Sequence, residues 1–226
     1  MSEILSGLSQ AGAMLLYVLE YGQGVIPPVL LAGVIYLAAS ILRNRKRGLR
    51  VPPVRKGAML LFICYCAGLA ALTLTPPNLW FVLEDGLRWG LWPEPAWWAR
   101  LLGQGGFDFE PALVSLLLGR ESFWGWGDVI DVWNILLFVP MGFLPPLLWR
   151  QFASWRGLIL GVGVSLGIEL LQPIIGRSCD IDDLLANAAG AAIGLGLCLL
   201  LGRLAPALVR KAREKVRPAQ NSPSEG

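Results

Sequence analysis

GLILGVGVSLGIELLQPIIGRSCDIDDLLANAAGAAIGLGLCLLLGRL, residues 157–204, decides the fold. Two apolar runs, Gly157–Ile175 and Leu184–Leu204, flank one polar loop, Gly176–Asp183. Each run has the roughly 17–25 residues that a helix needs to cross a bilayer. The first carries Glu169 and Gln172 inside it, and the second carries Asn187 near its start. Ionisable groups inside a membrane segment are expensive and require a partner or a task. Here Arg177, Asp180, Asp182 and Asp183 lie within the connecting loop.

Outward from this hairpin, three more apolar runs have spanning length: Val25–Leu42, Gly57–Thr75 and Ile130–Trp149. Hydrophobic residues make up 55% of the chain and charged residues 15%, against about 25% charged in an ordinary soluble domain. The expected fold is all-α, a polytopic transmembrane helical bundle of about five spans. Residues 1–24 lack the basic start of a cleavable signal, and their short apolar stretch Ala11–Leu19 predicts an interfacial helix. Residues 25–56 then supply a first span and a basic loop, 57–205 the main membrane domain with an insertion at 76–129, and 206–226 a basic and polar tail.

Loop charge sets the orientation. Arg43, Arg45, Lys46, Arg47, Arg50, Arg55 and Lys56 follow the first span with no acid among them. Arg150 and Arg156 follow the third, and the tail adds six basic residues between Arg203 and Arg217. The segment Pro76–Val129 instead holds seven acids against three arginines. Five spans put every basic segment on one side, so the N-terminus is expected outside and the C-terminus inside. The tail then serves as a topology signal and a contact for anionic lipid, with no call for nucleic acid. Seven of the ten tryptophans, Trp80, Trp89, Trp92, Trp97, Trp98, Trp124 and Trp126, fall in the acidic segment. They read as an interfacial belt or as a lid that stacks on a glycan or prenyl chain. Within the same segment, Ala112–Leu118 is too short to span.

In that orientation the polar residues converge on the outer boundary. Asp128, Asp131 and Asn134 step by three on one helix face, Glu169 and Gln172 on another, and Asp183, Asn187, Gly190 and Gly194 on a third. One structural account is a clamp, with Arg177 paired to Glu169 and asparagines bonded across helices. One capping aspartate explains one acid of Asp180, Asp182 and Asp183; the surplus suggests a bound cation, a protonated carboxyl, or a basic or metal-bridged ligand. A cation here would be divalent Mg²⁺ or Ca²⁺, since hard cations favour oxygen ligands. The Gly157/Gly161, Gly163/Gly167 and Gly190/Gly194 spacings read as close helix packing, and Pro140, Pro145 and Pro146 as a kink. The chain has no histidine, which removes the commonest general base and metal ligand. Of its four cysteines, Cys64, Cys66 and Cys198 lie in spans and Cys179 in a loop, with no metal-site spacing.

LTLTPP (72–77), NILLFVPMGFLPP (134–146) and IELLQPIIGRSCDIDDLLANAAGAAIG (168–194) together resemble the VanZ-like family of bacterial membrane proteins, over roughly residues 57–200. The resemblance implies functional residues at Asn134, Glu169, Gln172, Arg177, Asp180, Asp182, Asp183 and Asn187, and a link to resistance to the glycopeptide teicoplanin. The extra first span and the tryptophan-rich insertion depart from a minimal member and point to another envelope pathway, such as export of exopolysaccharide or surface protein. The expected function is an outward polar pocket in the cytoplasmic membrane that binds the headgroup of a lipid or a polyprenyl-phosphate-linked precursor. In that pocket Asn134, Glu169, Gln172, Arg177 and Asn187 would bind the ligand, and Asp180, Asp182 and Asp183 a metal. Two alternatives stand beside it. One is a scaffold for another membrane protein; the other is a metal-assisted enzyme on a lipid phosphate with Glu169 as catalytic acid or base. The missing histidine and nucleophile motif weigh against the enzyme.

Overall fold

The computed structural model describes residues 2–76, 79–90, 106–108, 126–214 and 217–218. The fold is all-α. Helix α1 (Ser2–Arg47) ends on Arg45, Lys46 and Arg47, cations that suit the negative end of the helix dipole. Gly48, at φ 57°, turns the chain in the left-handed conformation that glycine adopts without strain. Helix α2 (Pro53–Thr73) starts with proline in its first turn, where the missing N–H costs no hydrogen bond. The remaining helices are α3 (Leu79–Trp89), α4 (Trp126–Leu148), α5 (Trp155–Leu171), α6 (Ile181–Leu204) and α7 (Pro206–Arg213). Two short ladders complete the described fold. Strand β1 (Leu49–Arg50) pairs antiparallel with β4 (Arg217–Pro218), and β2 (Phe107–Asp108) pairs parallel with β3 (Cys179–Asp180).

Among the described residues, four helices are long and apolar enough to cross a membrane: Gly24–Arg47, Pro53–Thr73, Trp155–Ile175 and Ile181–Leu204. A shorter apolar stretch, Val132–Leu148, occupies α4 and coincides with the expected third span. Much of the apolar surface points outward. Leu30, Leu31, Val34 and Ile35 on α1 are each 58–62% exposed, and side chains of this kind require lipid rather than water around them.

The expected interfacial helix at the N-terminus is continuous with the first span, because α1 runs unbroken from Ser2 to Arg47. The prolines of the third span likewise sit inside an uninterrupted α4, with Pro145 and Pro146 fully buried. Neighbouring helices and side chains can re-satisfy the backbone groups that proline frees. The stretch Ala112–Leu118 lies outside the described residues.

Helix α4 forms the centre, and α6 lies along it backbone to backbone. A Cβ on Gly142 would run into the Ala191 carbonyl; one on Gly190 would meet Ile135 O, and one on Gly194 would meet Val139 O. On the other flank of α6, a Cβ on Gly161 of α5 would come within 2.6 Å of Ala191 Cβ. Gly163 and Gly167 have nothing within 4 Å, so that pair is not a packing motif. Phe138, Met141, Leu144 and Leu147 of α4 fill the core against Leu69, Ile168 and Cys198. Helix α1 attaches through α2: the Cys64 thiol donates to Val29 O (3.8 Å), and Gly68 makes room for Val29.

At one end, arginines hold the backbone together. Arg55 Nη1 donates to Leu148 O (3.2 Å) and Ala212 O (3.1 Å), and Arg213 Nη2 donates to Pro146 O (2.7 Å). Pro146 and Leu148 belong to the last turn of α4, whose carbonyls have no partner within the helix. Two residues that read in the sequence as topology signals therefore cap a helix. They also seat α7, whose Val209 and Ala212 are buried against Leu144 and Leu147. We call this the basic end.

Candidate functional site

The polar residues gather at the opposite end. Helix α5 stops at Leu171 and tightens into a 3₁₀ turn, Gln172–Ile175, closed by Gly176 at φ 81°. Gly176 N–H donates to Pro173 O (3.2 Å) and Arg177 N–H to Gln172 O (2.9 Å). The left-handed glycine reverses the chain and brings Cys179–Asp180 back over the end of α5.

This reversal sets Asp180 on Glu169. Glu169 is 2% exposed, and its Oε2 accepts from the Asp180 backbone N–H (3.1 Å). The Gln172 amide sits between two acceptors, which assigns its nitrogen to that side. There it donates to Glu169 Oε2 (2.9 Å) and to Ser178 O (3.1 Å). Two donors thus hold a buried carboxylate at the start of α6, where the positive end of the helix dipole favours it. Asp180 is the N-cap of α6, and its Oδ1 accepts from Asp182 N–H (2.8 Å).

One turn along α6, Asp183 Oδ1 accepts from Asn134 Nδ2 of α4. Another turn on, Asn187 Nδ2 donates to Ser165 Oγ of α5 (3.0 Å). Both of these residues are buried, and Asn187 Oδ1 is closed off from solvent with no hydrogen-bond partner among the described residues. Arg177 reaches across to α2, where Nη1 donates to Leu72 O (3.4 Å) near that helix's C-terminus. The polar set therefore ties α2, α4, α5 and α6 together at one depth. Glu169, Gln172 and Asn187 are buried, while Asn134, Arg177, Asp180, Asp182 and Asp183 are half-buried.

The eight expected residues all lie at this end, but they make different contacts from those expected. The clamp that paired Arg177 with Glu169 is replaced by the Asp180 N–H and the Gln172 amide on Glu169 and by the Leu72 carbonyl on Arg177. Asp180, Asp182 and Asp183 were expected to converge on a cation. Among the described residues, however, no group of three His, Cys, Asp or Glu could hold a metal ion. Successive residues at a helix start point in different directions: Asp180 turns back to cap the helix and Asp183 turns across to α4. The side chains of Asp128 and Asp131, which share the Asn134 face in the sequence, lie outside the described set, as do most of the insertion's tryptophans.

Two participants escaped the sequence reading. Ser165 precedes Glu169 by four residues, so it shares the Glu169–Gln172 face; that spacing was the available signal. The other is the contact of β2 with β3, in which Cys179 N–H donates to Gly106 O (2.9 Å). It seats part of the acidic segment on the site loop, and a two-residue strand leaves no periodicity to detect. Cys179 is buried beneath it. Burial, reinforced by the carboxylates of Glu169, Asp180 and Asp183, pushes its thiol above the ordinary range.

Residues 62–202 match the family model described as VanZ/LLP1. No curated protein and no solved structure matches the chain.

Proposed function

This chain belongs to the VanZ/LLP1 family, and from that membership we propose that its acidic end recognises the headgroup of a lipid or lipid-linked precursor at the outer face of the bacterial cytoplasmic membrane. The observation that carries the reading is the half-buried Arg177, held at the rim of a polar cluster that draws on four helices. A guanidinium presents paired donors to a phosphate, and the Leu72 carbonyl that positions Arg177 is itself uncharged. Asn187 Oδ1, buried with no partner among the described residues, is an acceptor that a ligand hydroxyl or amide would satisfy. The acids lining the loop would exclude a second anion and favour a headgroup that carries a single phosphate beside hydroxyl or amine groups. Altered access of such a precursor to glycopeptides, or its passage into polysaccharide or surface-protein export, would follow from this binding without any reaction.

Native mass spectrometry of the purified protein tests the reading, with wild type beside Arg177→Ala and Arg177→Lys. We expect an adduct of polyprenyl-phosphate or lipid-linked-sugar mass, lost in Arg177→Ala and weakened in Arg177→Lys. Equal adducts in all three proteins would refute it. The internal pairing of Glu169, Gln172 and Asp180 favours one second reading, in which the cluster fixes helix register and the bundle serves as a scaffold for a membrane-protein partner. That reading expects no adduct, together with a stoichiometric partner that persists in Asp182→Asn.

A further inference from the structure

A second site lies at the basic end, apart from the residues that carry the proposed function. Between α1 and α2 the structure holds a half-open cleft of about 540 Å³, whose lining includes Tyr36, Ser40, Arg43, Arg55, Met59 and Ile63. Among the described residues, two arginines and no acid line it. Arg55 is half-buried, and the backbone carbonyls of Leu148 and Ala212 that hold it are uncharged. Such contacts fix a guanidinium without neutralising it, and a partly desolvated charge attracts a counter-charge more strongly than a fully hydrated one does. Arg43 stands on the opposite wall directly after Leu42, which is 60% exposed and ends the apolar face of α1. Ser40, only 2% exposed, adds a hydroxyl that accepts from Asn44 Nδ2 (3.3 Å).

The lining thus changes along the cleft. Two guanidinium groups and a hydroxyl lie at the rim, where the span ends; Met59, Ile63 and the Tyr36 ring lie deeper along the span. That order matches one molecule: a phosphate at headgroup level with an acyl chain running down beside it. We propose that this cleft is a binding site for an anionic glycerophospholipid, whose phosphate is gripped between Arg43 and Arg55. Tyr36, Ser40, Arg43, Arg55 and Met59 precede the family-matched region 62–202 and Ile63 lies at its start, so the site is formed where the added first span meets α2. The lipid would also bridge α1 to the rest of the bundle, because Arg55 is tied in turn to α4 and α7.

The test is native mass spectrometry of detergent-purified full-length protein. Phosphatidylglycerol, phosphatidylcholine or inorganic phosphate is added to wild type, Arg43→Gln, Arg43→Glu, Arg150→Gln, and to Arg177→Ala with and without Arg43→Gln. Arg43 is exposed and Arg150 is an exposed arginine outside the cleft, and equal melting temperatures show that both variants are folded. We expect wild type to retain phosphatidylglycerol over phosphatidylcholine. Losing one charge-assisted contact should reduce retention in Arg43→Gln by about tenfold, and Arg43→Glu should abolish it. Arg150→Gln should bind as wild type does, and Arg43→Gln should cause the same fold-loss with Arg177→Ala as without it, which separates this site from the one at the acidic end. Three results would each overturn the proposal. One is equal retention of both lipids; another is equal loss in Arg43→Gln and Arg150→Gln, which means diffuse surface charge. The third is displacement of the lipid by inorganic phosphate, which means a site for the free anion.

Discussion

Replacing Glu169 by leucine removes the acceptor shared by the Asp180 N–H and the Gln172 amide, leaving two donors in a buried setting. An unsatisfied buried donor costs about 1–3 kcal/mol, so Glu169→Leu should lower stability by about 2–4 kcal/mol, read as a fall in melting temperature in detergent. Glu169→Gln keeps an acceptor oxygen and should cost less; equal damage from both would mean that charge rather than acceptor count matters. Cys179 offers a pH test at the same place. Its raised pKa means that the folded state holds the thiol proton more tightly than the unfolded chain does. The stability gained is complete below the ordinary thiol range and is lost as pH rises through the raised value. In a protein whose only cysteine is Cys179, the pH midpoint of iodoacetamide alkylation should lie above that of a free thiol. A midpoint at or below the free-thiol value would show that the neighbouring carboxylates do not act on it. Glu169 and Gln172 were legible in the sequence as a polar face in an apolar run. Their partners were not, because a backbone N–H and a turn carbonyl leave no mark on residue identity.

At the scale of elements, three glycine pairs with the same spacing have different roles. Gly190 and Gly194 lie against the backbone of α4 and Gly161 against Ala191, whereas Gly163 and Gly167 face open space. Spacing places two residues on one helix face, but it does not say whether a neighbour covers that face. Gly190→Ala should therefore force α6 off α4 and destabilise the bundle severely, by about 3 kcal/mol or more. Gly163→Ala adds a methyl where there is room and replaces a poor helix former, for a gain of up to about 1 kcal/mol. A matched pair of thermal melts decides it; similar losses in both variants would mean that α6 does not approach α4 as described. The same limit applied to arginine. Arg55 and Arg213 look like their basic neighbours in the sequence, and only the fold brings them to the carbonyls of Pro146 and Leu148.

For the whole molecule, the remaining question is which end faces the cytoplasm. The alternation of helices gathers the basic segments at one end: β1 beside β4, and Arg55 beside the close of α4 and the end of α7. At the other end, Arg177 meets α2, Asn134 meets Asp183, and Gly106 meets Cys179. Lysine and arginine in short loops are retained on the cytoplasmic side during insertion. An anionic inner leaflet further favours a basic surface, by about 1 kcal/mol per residue near it. The basic end should therefore face in, with the C-terminus inside and the N-terminus outside. Reporter fusions test this directly. A phosphatase active only outside the cell should work when joined after Gly105 and fail when joined after Arg213. A fluorescent reporter that matures only in the cytoplasm should show the reverse. The opposite pattern would place the Arg177 cluster inside, beyond the reach of glycopeptides and of precursors already delivered outward. It would remove the proposed function while leaving the Arg43–Arg55 cleft to be tested on its own terms. The expected pattern would put the two sites in different leaflets, each with the charge that its surroundings favour.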